Sequence, residues 1–493
     1  FTRGGAPADD YPKQGDIAVI RRFSVGYNGI VEITNAETCA KVIFDDENGF
    51  SSGCPRVQFS NSTAYGSNFA VVEVAETHQG GTPLDGERHG AVIKYDLYDG
   101  YAGEFPSGDF GDFNRYPNAL VIYTKEGASS EVTLSSSATE YPQVWFDPPA
   151  NRTFILPDTL VTFNGMVIVT YGHTLRMNTG SSAGATFKRR LNIGHSYGTG
   201  YFDFAGNASA NQTVTAETNI NLYNNAQLRI NAPAGIGRTH LLKLHGNMTM
   251  ETGCSVNLGD GNPANTNVTL ELTGNGTNSL TGAGTASLTL SRVTMNKGTS
   301  QAQSFSFSWP FSLTGPTSGA TTDKALQLQN GTLYLNNAGI NINLSTGGGD
   351  FYIPSTSGLV VKNGKVNVSG NDNGILLDGL LRVETGGTIN MDGGAGVNNY
   401  IEYSASGNAT LEVIGGTLTV GSQIRRGTTN PSGILRYTQT GGTVVVGKNA
   451  APVANRGTFE VLNTGSRFIH TGGTLTVARP QTSATEATIL LEP

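Results

Sequence analysis

A recurring Gly-Gly-Thr motif constrains the fold of this chain more than any other sequence feature. Each copy is followed by a short run of alternating apolar and polar residues, and the clearest copies span 386–389, 415–420, 441–446 and 472–477. The first glycines of successive copies are 29, 26 and 31 residues apart. This spacing is too irregular for propeller blades or leucine-rich repeats, and it is typical of β-solenoid coils whose loops vary in length.

The alternation within each copy indicates half-buried strands. Leu418 and Val420 fall on one face, whereas Thr417 and Thr419 fall on the other. Strands this short are stable only if the chain winds around their apolar rows, with each coil bonded to the next at about 4.8 Å. We therefore predict a right-handed parallel β-helix over residues 151–493, with roughly 14 coils of about 25 residues and ladders of stacked Thr and Asn side chains.

Composition excludes several other classes of protein. Glycine contributes 66 residues without a triplet period, which excludes collagen. No window of about 18 apolar residues exists, which excludes a transmembrane helix. One alternative remains open, an antiparallel sandwich, because hairpin signals occur at 275–276, 330–331 and 363–364.

Residues 1–150 differ in pattern and in charge. Strand patterns at 16–20, 29–33, 40–44, 57–59 and 70–74 are followed by an aromatic and acidic insertion, so we predict an irregular β-rich region with early coils or a cap. This region holds 21 acidic and 10 basic residues, a balance of -11, against 17 and 21, or +4, in the remainder. No clustered basic stripe is present in either part, so we expect no nucleic-acid partner.

The three cysteines leave two interpretations open. Cys39 and Cys54 form a candidate disulfide if their Cα atoms lie within about 7 Å, which their spacing does not decide. Cys254 is interpreted as a buried small apolar residue. No Cys/His spacing predicts a zinc site.

One acidic and aromatic cluster is the best candidate for a binding site. Tyrosine rings stack on sugars and carboxylates accept hydroxyl hydrogen bonds, so a ligand site is predicted at Tyr95, Asp96, Tyr98, Asp99 and Tyr101. Carboxylates on a glycine-rich loop are also ligands for Ca²⁺, so the candidate calcium ligands are Asp96, Asp99, Asp109 and Asp112. The alternative is a surface insertion whose tyrosines cover the core.

No complete catalytic set is evident. Glycosidases need two facing carboxylates, which on a β-helix come from neighbouring coils and leave no local motif. The run Gly194-His195-Ser196 partly matches a Gly-His-Gly motif of β-helical pectin hydrolases and departs from it at Ser196. No signature for Ser/His/Asp catalysis occurs.

Segments 15–43 and 154–175, together with the Gly-Gly-Thr copies, resemble exported cell-surface β-helix proteins of Bacteroidetes-type bacteria. Those proteins are type IX secretion substrates, and autotransporter passenger domains are similar. The resemblance implies an extracellular, outer-membrane-associated location, contact with secretion machinery, and roles such as adhesion or gliding motility. The first residue, Phe1, is consistent with a removed export signal or with a fragment of a larger protein.

These observations lead to one functional prediction and one alternative. We predict a non-enzymatic cell-surface adhesin, stalk or filament module whose partners are extracellular glycans or proteins. The alternative is a secreted polysaccharide lyase or glycoside hydrolase on a β-helix fold. Convergence of carboxylates or basic residues in one lateral groove would favour the alternative.

Overall fold

The structure is a computed structural model of the 493-residue chain. It describes residues 14–21, 30–45, 56–60, 64, 67–74, 83–84, 87–88, 91–97, 107–125, 127–147, 151–232, 234–316, 324–344, 349–394, 396–403, 408–429, 431–447, 456–478 and 488–492. The fold is a β-solenoid of about 14 turns built from parallel sheets. The predicted parallel β-helical architecture is therefore confirmed, and the antiparallel sandwich is excluded.

One short helix occurs among the described residues, α1 (Gly111–Arg115). The strands of the first half are β1 (Ile17–Arg21), β2 (Ile30–Ile33), β3 (Thr38–Asp45), β4 (Arg56–Phe59), β5 (Asn68–Val74), β6 (Pro83–Leu84), β7 (Glu87–Arg88), β8 (Ala91–Leu97), β9 (Ser107–Asp109), β10 (Ala119–Lys125), β11 (Glu131–Thr133), β12 (Glu140–Tyr141), β13 (Gln143–Asp147), β14 (Thr153–Ile155), β15 (Leu160–Phe163), β16 (Val167–Val169), β17 (His173–Arg176), β18 (Gly184–Phe187), β19 (Leu191–Ile193), β20 (Gly200–Ala205), β21 (Thr213–Ala216), β22 (Ile220–Leu222) and β23 (Gln227–Asn231).

The strands of the second half include the two longest of the described residues, β33 and β35. They are β24 (Thr239–Leu244), β25 (Met248–Met250), β26 (Ser255–Asn257), β27 (Asn267–Leu272), β28 (Thr277–Gly282), β29 (Ser287–Leu290), β30 (Arg292–Asn296), β31 (Ser304–Phe307), β32 (Ser312–Leu313), β33 (Leu326–Asn343), β34 (Phe351–Ile353), β35 (Ser357–Asn367), β36 (Gly374–Leu377), β37 (Leu380–Val383), β38 (Gly387–Met391), β39 (Tyr400–Tyr403), β40 (Asn408–Val413), β41 (Thr417–Val420), β42 (Ile424–Arg426), β43 (Ile434–Gln439), β44 (Thr443–Val446), β45 (Phe459–Leu462), β46 (Arg467–His470), β47 (Thr474–Val477) and β48 (Ile489–Glu492).

The chain divides into two compact units. Unit 1 comprises residues 1–236 and 250–255, and unit 2 comprises 237–249 and 256–493. The boundary between the units falls near residue 236, whereas the predicted change from the irregular region to the repeat array, at residue 150, stays a prediction. Coils already stack before residue 151, because β8 pairs with β10 and β10 pairs with β13 in parallel register.

Unit 1 contains strands of four parallel sheets. The first runs β2-β4-β8-β10-β13-β16-β19-β22, the second runs β12-β15-β18-β21, and the third runs β11-β14-β17-β20-β23. The fourth runs β1-β3-β5-β9 and contains the strands predicted near 16–20, 40–44 and 70–74. Aromatic side chains from successive coils stack inside the first sheet, where Phe59, Tyr95, Tyr123 and Phe146 occupy one register row.

Unit 2 contains the Gly-Gly-Thr repeats as stacked coils. Thr388, Thr417, Thr443 and Thr474 lie opposite one another on β38, β41, β44 and β47, which confirms the predicted alignment. Ile389, Leu418 and Val444, one position on, are fully buried. The glycine before Thr417 adopts a φ of 65°, and a Cβ there would lie 2.2 Å from the Gly387 carbonyl oxygen. Glycine is therefore required at this corner between sheets.

Two of the three Asn-Gly pairs are corners of the solenoid and not hairpin turns. Gly331 lies within β33 and Gly364 within β35, with φ values of 85° and 112°. Both long strands continue past these glycines and change sheet. Predicted polar ladders are also present, since Asn221 donates a hydrogen bond of 2.9 Å to its register partner Asn192.

Candidate functional site

Of the predicted acidic and aromatic ligand site, only Tyr95 and Asp96 lie among the described residues. Tyr95 lies on β8 and is 1% exposed, with its ring stacked 5.2 Å from Phe59 and 5.5 Å from Tyr123. Its ring belongs to the core, so it cannot stack on a sugar, and this part of the prediction is corrected. Tyr98, Asp99 and Tyr101 lie outside the described residues.

The carboxylates predicted to bind calcium hold local structure. Asp96 accepts a hydrogen bond of 3.0 Å from the Gln58 amide. Asp112 accepts one of 3.0 Å from the backbone N–H of Val74, and Asp109 accepts one of 2.8 Å from that of Gly111. Within the described ranges, no three Asp, Glu, His or Cys side chains are grouped to hold a metal ion. Calcium binding stays a prediction, because Asp99 is not among those residues.

The candidate disulfide between Cys39 and Cys54 stays a prediction. Cys39 lies on β3 and is buried, and burial raises the pKa of its thiol to about 11. Cys54 lies outside the described residues. Cys254 is buried, as predicted for a small apolar residue.

A different aromatic group does gather on the outside of unit 1. Trp145 points outward from β13, and Tyr171 and Tyr197 lie in the turns that follow β16 and β19. The ring centroids of Tyr197 and Tyr171 are 5.9 Å apart at 12°, and those of Tyr197 and Trp145 are 6.1 Å apart at 24°. His195 stacks on Tyr197 at 4.8 Å. We call these four side chains the aromatic patch.

A tight turn positions the most exposed ring of the patch. His195 and Gly198 exchange two backbone hydrogen bonds of 2.9 Å, so Ser196 and Tyr197 form the tip of the turn. The Thr170 hydroxyl donates to the Gly198 carbonyl oxygen at 3.2 Å and ties the turn to the previous coil. Tyr197 is 53% exposed, which leaves much of its ring to solvent.

Asp147 supplies charge beside the patch. It is the last residue of β13, and no described residue donates a hydrogen bond to its half-buried carboxylate. Burial raises the pKa of Asp147, and Lys94 and Arg56 partly offset the rise. Burial and the charge of Asp147 both raise the pKa of Tyr171, so these two groups lie in one electrostatic environment.

The Trp145 indole adds an unpaired donor. Its Nε1–H is shielded from solvent and donates no hydrogen bond within the described part of the chain. A shielded donor without an acceptor typically costs about 1–3 kcal/mol. The patch therefore combines near-parallel rings, a carboxylate without donors and an indole N–H without an acceptor.

Unit 2 contains a second cluster of polar groups, on the sheet that runs β34-β36-β39-β42-β45-β48. Asp350 accepts hydrogen bonds from the Gly374 N–H at 2.9 Å and from the Tyr400 hydroxyl at 3.2 Å. Arg425 lies 3.8 Å above the Tyr400 ring and donates to Glu402 at 2.9 Å. Burial raises the pKa of Asp350, and the charge of Glu402 adds to that rise.

Sequence reasoning missed the aromatic patch, because its rings do not share one coil position. Trp145 pairs in register with Ile168, and Ile168 pairs with Asn192. Tyr171 and Tyr197 instead lie two and four residues beyond the ends of β16 and β19, so the equal spacing of 26 residues between the three rings does not reflect the coil repeat. His195, considered earlier only for its weak hydrolase motif, contributes to the patch through its ring.

Fold and site together define a β-solenoid with an outward aromatic patch in unit 1. No protein-family model, curated protein or solved structure matches the chain. In the described ranges no helix has the length and apolar character needed to span a membrane.

Proposed function

We propose that this protein is an exported cell-surface β-solenoid that binds glycans through the aromatic patch of unit 1 and catalyses no reaction there. It would serve as an adhesin, stalk or filament module, with the secretion route implied by the resemblance described above. The observation that carries the proposal is the near-parallel arrangement of Tyr197, Tyr171 and Trp145.

The chemistry of the patch supports a sugar ligand over a purely apolar one. Flat rings offer faces to the C–H groups of a sugar, while the Asp147 carboxylate offers an acceptor for hydroxyl groups. The patch lies on turns held by the solenoid, and rigid placement of aromatic anchors lowers the entropy lost on binding.

The test is a binding screen of the full chain against a glycan array, followed by calorimetry on the best oligosaccharide. Trp145→Ala and Tyr197→Ala should each weaken binding by about tenfold or more, since base- or ring-stacking contacts of this type contribute about 1–3 kcal/mol. Tyr334→Ala, which removes a tyrosine of unit 2, is the matched control and should leave affinity unchanged. Binding that survives both patch substitutions would refute the proposal.

A second candidate function is polysaccharide cleavage at the unit 2 cluster. Its support is the carboxyl of Asp350, whose raised pKa suits a general acid, beside the Glu402 carboxylate and Arg425. Product analysis on purified polysaccharides tests it. Turnover that disappears in Asp350→Asn and persists in Asp372→Asn, an exposed acid of the same unit, would favour this function.

A further inference from the structure

Two arginines of unit 2 occupy paired positions on neighbouring parallel strands. Arg436 on β43 and Arg467 on β46 are partners in the parallel register, and both are exposed. Neither guanidinium forms an ion pair or hydrogen bond in the described part of the chain. Like charges in directly opposed positions destabilise a sheet, so this pair opposes the stability of its own coil.

The surrounding sequence is basic although the whole chain is acidic. Residues 421–470 contain six Lys or Arg residues and one acidic residue, a balance of +5, in a chain of net charge -7. Three members of this group have partners, because Arg425 pairs with Glu402, Arg456 pairs with Glu460, and Arg426 donates a hydrogen bond to Asn463. Lys448 lies outside the described residues. Arg436 and Arg467 are the two exposed arginines of this segment among the described residues.

We propose that Arg436 and Arg467 form an anion-binding site for the carboxylate or sulfate groups of an acidic polysaccharide. Neighbouring strands lie about 4.8 Å apart, so two planar guanidinium groups can hold one oxyanion between them. Ile469, 41% exposed and two residues beyond Arg467, offers an apolar contact for a sugar ring. An anion would also remove the repulsion that the bare pair creates.

An acidic polysaccharide fits this surface better than nucleic acid or lipid. Two cations are too few for the many phosphate contacts that support nucleic-acid binding. A lipid surface attracts clusters of four to eight basic residues, which this face does not present. The site belongs to unit 2 and does not depend on glycan binding at the aromatic patch.

The experiment measures binding of the full chain to polygalacturonate and dextran sulfate, with neutral dextran as the polymer control. Arg436→Gln/Arg467→Gln should weaken binding of the acidic polymers by about tenfold or more, as expected when two charge-assisted contacts are lost. Each single substitution should lose nearly as much as the pair, because both guanidinium groups hold one anion. Added salt should weaken binding of the wild type more steeply than that of the double variant.

A matched double variant separates a site from general charge. Lys362→Gln/Lys365→Gln removes two exposed cations from another part of unit 2 and should leave polymer affinity unchanged. Without ligand, Arg436→Gln should raise the melting temperature, since it removes the repulsion. A higher melting temperature would show that the variant is folded, so a loss of polymer binding by this variant would not be caused by unfolding.

Three results would overturn the proposal. They are unchanged polymer binding in the arginine variant, equal loss in the lysine variant, and binding to phosphatidylglycerol vesicles without binding to either acidic polymer. Trp145→Ala keeps this test independent of the proposed function, because it should leave binding of the acidic polymers intact. Failure at one surface would therefore not be mistaken for failure at the other.

Discussion

The two units line the same kind of coil with different side chains. In unit 1 the core of the first sheet is a stack of rings, including Tyr95, Tyr123 and Phe146. In unit 2 the inward rows of the Gly-Gly-Thr strands are aliphatic, as at Leu418 and Val444, whereas rings such as Tyr437 and Phe468 stack on the neighbouring strands β43 and β46. Their outward rows differ too, with large apolar residues such as Trp145 and Ile168 in unit 1 and threonines in the Gly-Gly-Thr coils of unit 2.

This difference shows that regularity and surface chemistry are linked in a solenoid. Small aliphatic rows allow successive coils to repeat the same Gly-Gly-Thr corner, so the outer face repeats as well. The turns of unit 1 vary in length and hold side chains such as Tyr171, with a φ of 57°, in conformations that a uniform repeat does not use. The candidate ligand surface of unit 1 lies on those irregular turns.

The largest expected effect comes from the ring stack. Phe146→Ala should lower the free energy of unfolding by about 3–5 kcal/mol, because this buried ring contacts Tyr123 and Phe154. Leu418→Ala in unit 2 should cost about 2–5 kcal/mol. Hydrogen exchange of β10, β13 and β14 against β38, β41 and β44 measures both losses. If Leu418→Ala lowers the free energy of unfolding more than Phe146→Ala does, the expectation that the stacked rings contribute more stability is wrong.

The second prediction concerns a buried histidine of unit 1. Burial lowers the pKa of His173 to about 4, from an ordinary value of 6.5. The neutral ring stabilises the fold fully above pH 6.5, and that stability should be lost as pH falls toward 4, by up to about 3 kcal/mol. Exchange rates of β16 and β17 at several pH values, in wild type and His173→Gln, should show it. An identical pH dependence in both proteins would exclude this origin, and His470→Gln at an exposed site is the control.

The third prediction compares two turn glycines. A Cβ at Gly194 would lie 2.0 Å from the Tyr223 carbonyl oxygen, and one at Gly416 would lie 2.2 Å from that of Gly387. Both φ values are positive, so each alanine substitution should cost about 1–3 kcal/mol. Only Gly194→Ala should also weaken glycan binding, since it displaces the turn that carries Tyr197. Calorimetry measures the glycan affinity of both variants, and melting curves measure their stability. If both variants bind glycan with equal affinity, the turn that carries Tyr197 is not part of the ligand surface.

The smallest effect concerns two carboxylates with different surroundings. The raised pKa of Asp147 means that its ionised form destabilises the fold at neutral pH, so Asp147→Asn should raise stability by less than about 1 kcal/mol at pH 7. This gain should vanish as pH falls below the ordinary pKa of an aspartate. Asp350→Ala should instead lower stability, because it leaves the Gly374 N–H and the Tyr400 hydroxyl without the acceptor that Asp350 provides. The melting temperatures of both variants and of the wild type are measured between pH 3 and pH 7. A shift of the same sign in both variants at pH 7 would contradict the expected difference between the two carboxylates.

Sequence patterns predicted the repeat strands well because one face of each is exposed. The alternation in β41 and β44 separates inward valines and leucines from outward threonines, and the register follows from it. The strand β8 has no such alternation in burial, since both of its faces are covered or nearly so. Period-two reasoning therefore did not reveal that Tyr95 points inward.

The candidate site was less accessible to sequence reasoning than the fold. Local clustering favoured the acidic insertion, whereas the patch draws Trp145, Tyr171 and Tyr197 from three separate coils. The Asn-Gly pairs were ambiguous for a similar reason, because the backbone of Gly331 suits a hairpin turn and a solenoid corner equally well. Only its neighbours in space distinguish the two.

By itself the amino-acid sequence determined that short apolar rows must be enclosed by winding, because strands of four residues cannot bury enough surface alone. It also determined where the most regular corners lie, since only glycine tolerates the backbone conformation there. The tertiary structure decided which side chains from different coils meet on the outside. Those meetings depend on the length of each intervening loop and on the register between strands, and neither is encoded within a single repeat.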